Sequence, residues 1–266
     1  MLVKDGPAVR RRFMDMMLSQ LSPQYFVALQ QYQKALDQRN AILRDAKKAG
    51  ILPDTMLELF EQGLAENAAV IIPMRRRLVA EAAEIAREKY RHISGREQEL
   101  FEMSYRCCVE EGTDLRSACL DRLRAGRQED VFRASTGFGV HREDIALTLS
   151  GREMKLFASQ GQIRTAALSM KLAQLELFRR ETGDMPILLL DDVMSELDMT
   201  RRTRLLEEID GVQTFVTCTD ESDLSGCKNL RTYRVSCDAD GAANVEERYR
   251  GEETAAPEAP EGPVFD

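Results

Sequence analysis

Histidine is scarce in this chain and cysteine pairing of the zinc type is absent. Only His92 and His141 occur, far apart, and none of the six cysteines forms a CxxC pair. A zinc site therefore has no ligand set at the usual spacings, and metal chemistry falls to carboxylates. No run of about 18 uncharged apolar residues occurs, and the opening MLVKDGPAVRRRF lacks the apolar stretch of a signal peptide. This excludes a spanning helix and predicts a cytoplasmic protein with no membrane partner. With Cys107 and Cys108 adjacent and the other cysteines scattered, the thiols are expected to be reduced. There is no Gly-Lys pair anywhere, so the phosphate-cradling pattern GxxxxGK[ST] is missing. No segment repeats at a fixed period, which argues against a solenoid.

What is present is enough for a core: 266 residues, 43% of them hydrophobic, room for one large or two ordinary domains. The net charge of -8 argues weakly against nucleic acid, yet the terminal GEETAAPEAPEGPVFD holds five acidic residues and no basic one. Without that segment, 251–266, read as a disordered acidic tail, the body is much closer to neutral. Three arginine clusters stand out: Arg10, Arg11 and Arg12; Arg75, Arg76 and Arg77; Arg201, Arg202 and Arg204. The first two are the candidate DNA contacts, each weighed against a solvated helix face.

Tyr25, Leu29, Tyr32, Leu36 and Leu43 recur at helical spacing, and after a break at Ala49–Pro53 the residues Leu57, Leu64, Ile71, Leu78 and Ile85 fall seven apart. Two long helices forming an antiparallel arm are predicted, the second kinked at Pro73. A strand at LFEMSYRC and a helix at DLRSACLDRLRAGRQED would return the chain from the arm, giving a helical domain over 1–130. Over 131–250 the pattern turns to an α/β or α+β lobe. DIALTL and EMKLF read as a hairpin around Ser150-Gly151-Arg152, and a helix is expected over 163–181, closed by Gly183. ILLL reads as a strand covered on both faces with QTFVTCT as its neighbour. TYRVSCDADGAANVEER reads as a late hairpin turning at Asp240-Gly241.

The chemistry concentrates between residues 157 and 198. Asp191 and Asp192 end a buried strand, where open sheets place ligands, and strand alternation sends their side chains to different sides. Asp191 suits magnesium, directly or through water, and Asp192 suits polarisation of a water. Upstream, Ser159, Gln160, Gly161 and Gln162 open a helix whose free N–H groups attract an anion, to which Ser159 can add a hydroxyl donor. The bland reading is that Ser159 only caps its helix.

Taken in order, ASQGQIRTAALSMKLA followed by ILLLDDVMSELD resembles the signature motif, Walker B strand and D-loop of an ABC-type ATPase, and its wording resembles the RecF family of bacterial DNA replication and repair proteins. DGPAVRRRFMDMMLSQLSPQY, YQKALDQRNAILR and GVHREDIALTLSGREMKLFASQGQ extend the resemblance over about residues 4 to 235. Val140 departs from it, standing where the family usually has proline before His141 and Arg142.

The resemblance implies the C-terminal part of an ABC-type ATPase head with an inserted antiparallel helical arm, dimerising on ATP. Ser159, Gln160, Gly161 and Gln162 would touch ATP in trans. Asp191 would serve magnesium, Asp192 would be the catalytic carboxylate and Asp198 would lie in the D-loop. Implied partners are DNA with single-strand gaps or double-strand/single-strand junctions, the RecO and RecR proteins with which recombinase is loaded, and a second copy. An ABC transporter would usually carry a histidine after the strand following Walker B; TFVTCTD has none, and Thr217 or Thr219 stands there. In the family the Walker A loop lies in an N-terminal segment of roughly a hundred residues. A truncated or misassigned start, or a product split over two chains, is therefore expected, and this chain alone should neither bind ATP tightly nor hydrolyse it. The competing class is an ATPase-dead interaction module that needs a separate N-terminal partner.

Overall fold

The computed structural model describes residues 2–220, 224, 230–238 and 241–250. The acidic tail and Asp240 of the late hairpin lie outside them. Three helices lead: α1 (Pro7–Leu21), α2 (Pro23–Ala49) and α3 (Asp54–Ser94). Ser22 caps α2 by accepting the Tyr25 N–H, and Gly50, at φ 67, ends it in the left-handed region that glycine enters without a Cβ penalty. The pairs Ala35 with Gly63, Arg39 with Glu61 and Tyr25 with Arg75 run in opposite directions along the two helices. They make α2 and α3 the antiparallel hairpin that the spacing predicts. The seven-residue seam faces inward: Leu57, Leu64, Ile71, Leu78 and Ile85 are all buried. α3 runs on through Pro73, which is exposed. The proline costs the carbonyl four residues earlier its donor, yet the helix is not divided there.

β1 (Phe101–Arg106) follows, then α4 (Leu115–Ala125) and α5 (Arg127–Arg133), two helices meeting at Gly126 where the sequence reads as one. β2 (Asp144–Leu149) pairs antiparallel with β1, from Phe101 with Leu149 to Arg106 with Asp144. A division at residue 130 thus falls between two strands of one sheet. β3 is only Arg152–Glu153, and the expected strand EMKLF becomes a short helix, α6 (Met154–Phe157). α7 (Gln160–Thr182) begins three residues earlier than the spacing suggests and closes at Gly183.

β4 (Leu188–Asp191) and β5 (Thr214–Thr217) are parallel, joined through α8 (Met199–Glu208). β6 (Arg231–Cys237) and β7 (Ala243–Arg250) form the late antiparallel hairpin. β4 is not covered on both faces: Leu190 is buried, but Leu189 is 72% and its cross-strand neighbour Phe215 59% exposed. Nothing among the described residues packs on that face of the pair.

α7 divides its faces between two cores. Ile163, Ala166, Met170, Ala173 and Leu177 join the large core of α1, α2, α3, β1 and β2. Leu168 and Leu172 join Leu190, Met194, Leu197, Leu205 and Ile209 of the β4–α8 unit. The i, i+3, i+4 spacing of the first set and the neighbouring placement of the second make α7 the wall common to both.

Candidate nucleotide site

α7 starts with a complete capping box. Ser159 Oγ accepts the Gln162 N–H at 3.3 Å and Gln162 Oε1 accepts the Ser159 N–H at 2.8 Å. The bland reading of Ser159 is therefore correct as far as it goes. A hydroxyl that caps through a lone pair still has its proton to donate, so capping and anion contact are compatible. The first intrahelical bond is Ile163 N–H to Ser159 O, which leaves the N–H groups of Gln160 and Gly161 directed out of the helix end. Gln162 Nε2 also donates to Glu99 Oε1 at 3.0 Å, so its amide is positioned from outside the motif.

Gly161 lies close under Arg201: a Cβ there would come 2.7 Å from Nη1, the far end of a flexible side chain that can swing aside. Arg201 comes from the first turn of α8, whose N-cap is Asp198. The Asp198 carboxylate accepts the Arg201 N–H at 3.0 Å and pairs with its guanidinium at 3.2 Å. Arg164, one turn into α7, donates to the Glu196 carbonyl at 3.2 Å and pairs with its carboxylate at 3.1 Å. Arg164 thus fastens the turn 194–198 to the start of α7, with the Arg201 side chain lying beside Gly161, and sequence reasoning singled out neither for that task. Nothing in local spacing marks it, since Glu196 lies 32 residues from Arg164 and Arg201 meets Gly161 only across the fold.

Asp191 ends β4 opposite Thr217. The Thr217 hydroxyl donates to Asp191 Oδ1 at 2.7 Å and accepts the Asp192 N–H at 2.9 Å, so one threonine orients both aspartates. Asp192 has left the strand, at φ 51, and strand alternation no longer sets its direction. Aspartate tolerates this left-handed conformation at a cost of about 1–2 kcal/mol. Both carboxylates are exposed. Asp191, with one oxygen bonded by a hydroxyl and the other facing solvent, fits a hard cation that keeps several waters.

The arginine candidates for DNA divide by burial. Arg10 is buried and held by both oxygens of Asp144, at 2.7 and 2.8 Å. Arg75 is 1% exposed and bonds Asp15, Tyr25, Val140 and Glu143. Neither can reach a phosphate, which corrects the reading of those two as DNA contacts: a guanidinium satisfied inside the core has no donors to spare. Arg11 donates to the Glu143 carbonyl and Arg76 to the Val109 carbonyl, both half-buried. Only Arg12 and Arg77 are exposed, and Arg77 pairs with Glu81 and Glu181.

A helix start of this kind, a strand ending in Asp191 with Asp192 just beyond it, and a following turn tied to that helix define the second half of an ABC-type ATPase head. No family model matches the chain, but relatives do. It is 40% identical over 226 residues to the DNA replication and repair protein RecF of Acetivibrio thermocellus, covering 83% of this chain and 61% of that one. It is 41% identical over 231 residues to the RecF of Lactobacillus delbrueckii subsp. bulgaricus, covering 84% and 60%. Among solved structures it superposes on the recombination mediator protein RecF-ATP of the RecFOR pathway with a TM-score of 0.79 at 34% identity, covering 92% of this chain and 64% of that one. The chain belongs to the RecF family, and it spans about three fifths of the length of these curated relatives.

Proposed function

We propose that this chain supplies the signature, metal-carboxylate and D-loop half of a RecF-type ATPase that acts on DNA in replication and recombinational repair. ATP would be held in trans, between Ser159, Gln160, Gly161 and Gln162 here and a phosphate-binding loop on another subunit, in an ATP-dependent dimer. Asp191 would hold magnesium, which supplies charge neutralisation on the phosphates. Asp192 would orient and polarise the attacking water, and Asp198 would stand at the dimer seam as the D-loop aspartate. The observation that supports this best is the tie of Arg164 to the Glu196 carbonyl and carboxylate, with the Arg201 side chain lying beside Gly161, which brings the signature and D-loop turns side by side.

On this reading the substrate DNA carries single-strand gaps or double-strand/single-strand junctions, with RecR and RecO as partners in loading recombinase, in the cytoplasm. Arg12 and Arg77 are the arginines of the first two clusters left for phosphate contact. Among the described residues no helix is long and apolar enough to cross a membrane. A second reading, an ATPase-dead interaction module, draws on the open face at Leu189 and Phe215, which suits burial under another polypeptide.

ATP turnover separates the two. The purified chain alone should show none above an Asp191→Ala control. With an added RecF-type segment carrying GxxxxGK[ST], turnover should appear and should fall at least a hundredfold in Asp192→Asn. Binding of that segment without any turnover would favour the interaction module.

A further inference from the structure

The end of β1 and the start of β2 bring together groups that lie far apart in sequence. The register that pairs Arg106 with Asp144 sets Cys107 and Cys108 beside Glu143. The two sulfurs and a carboxylate oxygen of Glu143 lie within 4.8 Å of one another. Ligands on a tetrahedral zinc with Zn–S near 2.3 Å stand about 3.8 Å apart, so small side-chain rotations would close this set around one ion.

Glu143 is 2% exposed, and its two oxygens have different surroundings. Oε2 takes Arg75 Nη1 at 3.1 Å and the Tyr105 hydroxyl. Oε1 faces the thiols, accepting from Cys107 Sγ at 3.3 Å and from the Cys108 N–H at 3.1 Å. One oxygen is thus held by an outer layer of donors while the other is presented inward, the arrangement that fixes a ligating carboxylate. Arg76 Nη2 lies 3.3 Å from Cys107 Sγ, a donor suited to a thiolate. An open cleft of about 660 Å³, lined in part by Arg76, Tyr105, Cys107 and Glu110, gives an ion a way in.

We propose that Cys107, Cys108 and Glu143 form a zinc-binding site, with its fourth position open to the cleft, that clamps the end of β1 to the start of β2. Two thiolates favour a soft or borderline ion over magnesium or calcium. Two thiolates and a carboxylate against Zn²⁺, Arg75 and Arg76 leave a net charge of only one, so the bound state is close to neutral. Spacing along the chain hides the site, because neither a vicinal cysteine pair nor a glutamate 35 residues on belongs to a familiar zinc pattern.

Cobalt(II) tests this with a signal that Asp191 cannot give. The reduced, chelator-treated full chain, titrated with Co²⁺, should take up one equivalent with a thiolate-to-cobalt charge-transfer band and the intense visible bands of tetrahedral cobalt, all displaced by Zn²⁺. Cys107→Ser and Cys108→Ser should each weaken binding at least tenfold, and Cys237→Ser should not. A folded wild-type chain with no charge-transfer band, or a band unchanged in Cys107→Ser, would overturn the site. Should either serine variant fail to fold, X-ray absorption on the zinc-loaded wild type decides: two sulfur neighbours support the proposal, and none or four refute it.

Discussion

Replacing Arg75 by alanine distinguishes a core residue from a DNA contact. The guanidinium donates to Tyr25 Oη at 2.9 Å, the Val140 carbonyl at 2.8 Å, Glu143 Oε2 at 3.1 Å and Asp15 Oδ1 at 2.7 Å. The Asp15 side chain is 22% exposed and can recover water, so its loss costs little. Glu143 and the Val140 carbonyl cannot, and removing one partner of a buried ion pair costs about 3–5 kcal/mol. A value near the middle, about 4 kcal/mol, divided by a urea m-value of about 3 kcal/mol/M, lowers the unfolding midpoint by about 1.3 M. Circular dichroism against urea measures this directly, with Arg77→Ala as the exposed control, for which no midpoint shift is expected. Were Arg75 instead a phosphate contact, the midpoint would stay put, and the slope of log affinity for gapped DNA against log salt would flatten by about 0.9. That pair of results would refute the assignment.

Two further predictions come from single residues. Asp192 sits at φ 51, so Asp192→Gly should match or exceed the wild type in stability while Asp192→Ala falls below Asp192→Gly by about 1 kcal/mol; equal midpoints for the two variants would show that the backbone there relaxes. His141 accepts from or donates to Tyr32 Oη at 2.8 Å through Nδ1 and lies 3.0 Å from the Thr136 carbonyl through Nε2, which suits the neutral ring, and burial pushes its pKa below the ordinary 6.5. The unfolded chain then binds a proton that the folded one refuses, so this contribution is complete above about pH 6.5 and is lost as the pH falls toward the lowered folded value. Urea midpoints at stepped pH should decline over that window, and His141→Gln should remove that part of the decline.

The sequence and the structure agree best where local pattern controls packing. The seam from Leu57 to Ile85 needs only its own period to find α2, and Gly50 and Gly183 stop their helices by a conformation that belongs to glycine. Agreement fails where partners are remote. A triplet of arginines looks the same whether it faces solvent or, as Arg10 and Arg75 do, closes on Asp144 and Glu143 some 134 and 68 residues away. ILLL reads as covered on both faces because four apolar residues in a row demand cover, yet no described residue lies over Leu189. The order of the chemical motifs was legible, whereas the arginines and the threonine that orient them were not, since their task is defined only across the fold.

The arm and the candidate nucleotide site are mechanically one object. The last turns of α3 touch α8 through Lys89 with Glu208 and through His92 with Glu207 at 3.2 Å. Arg204 of α8 occupies the space beside Gly95, where a Cβ would lie 1.5 Å from Nη1, placing a cation at the negative end of α3. α3 also packs along α7, whose opposite flank carries the β4–α8 core. Close-packed interiors move by switching between discrete arrangements, so a shift of the arm at its base carries α7 or α8 with it. Ser159 caps α7 and Asp198 caps α8, Arg201 of α8 lies beside Gly161 of α7, and Arg164 ties α7 to Glu196 just ahead of α8. DNA held by the arm and ATP held at those helix ends would therefore act on the same three helices, which is the physical route by which either ligand could alter the affinity for the other.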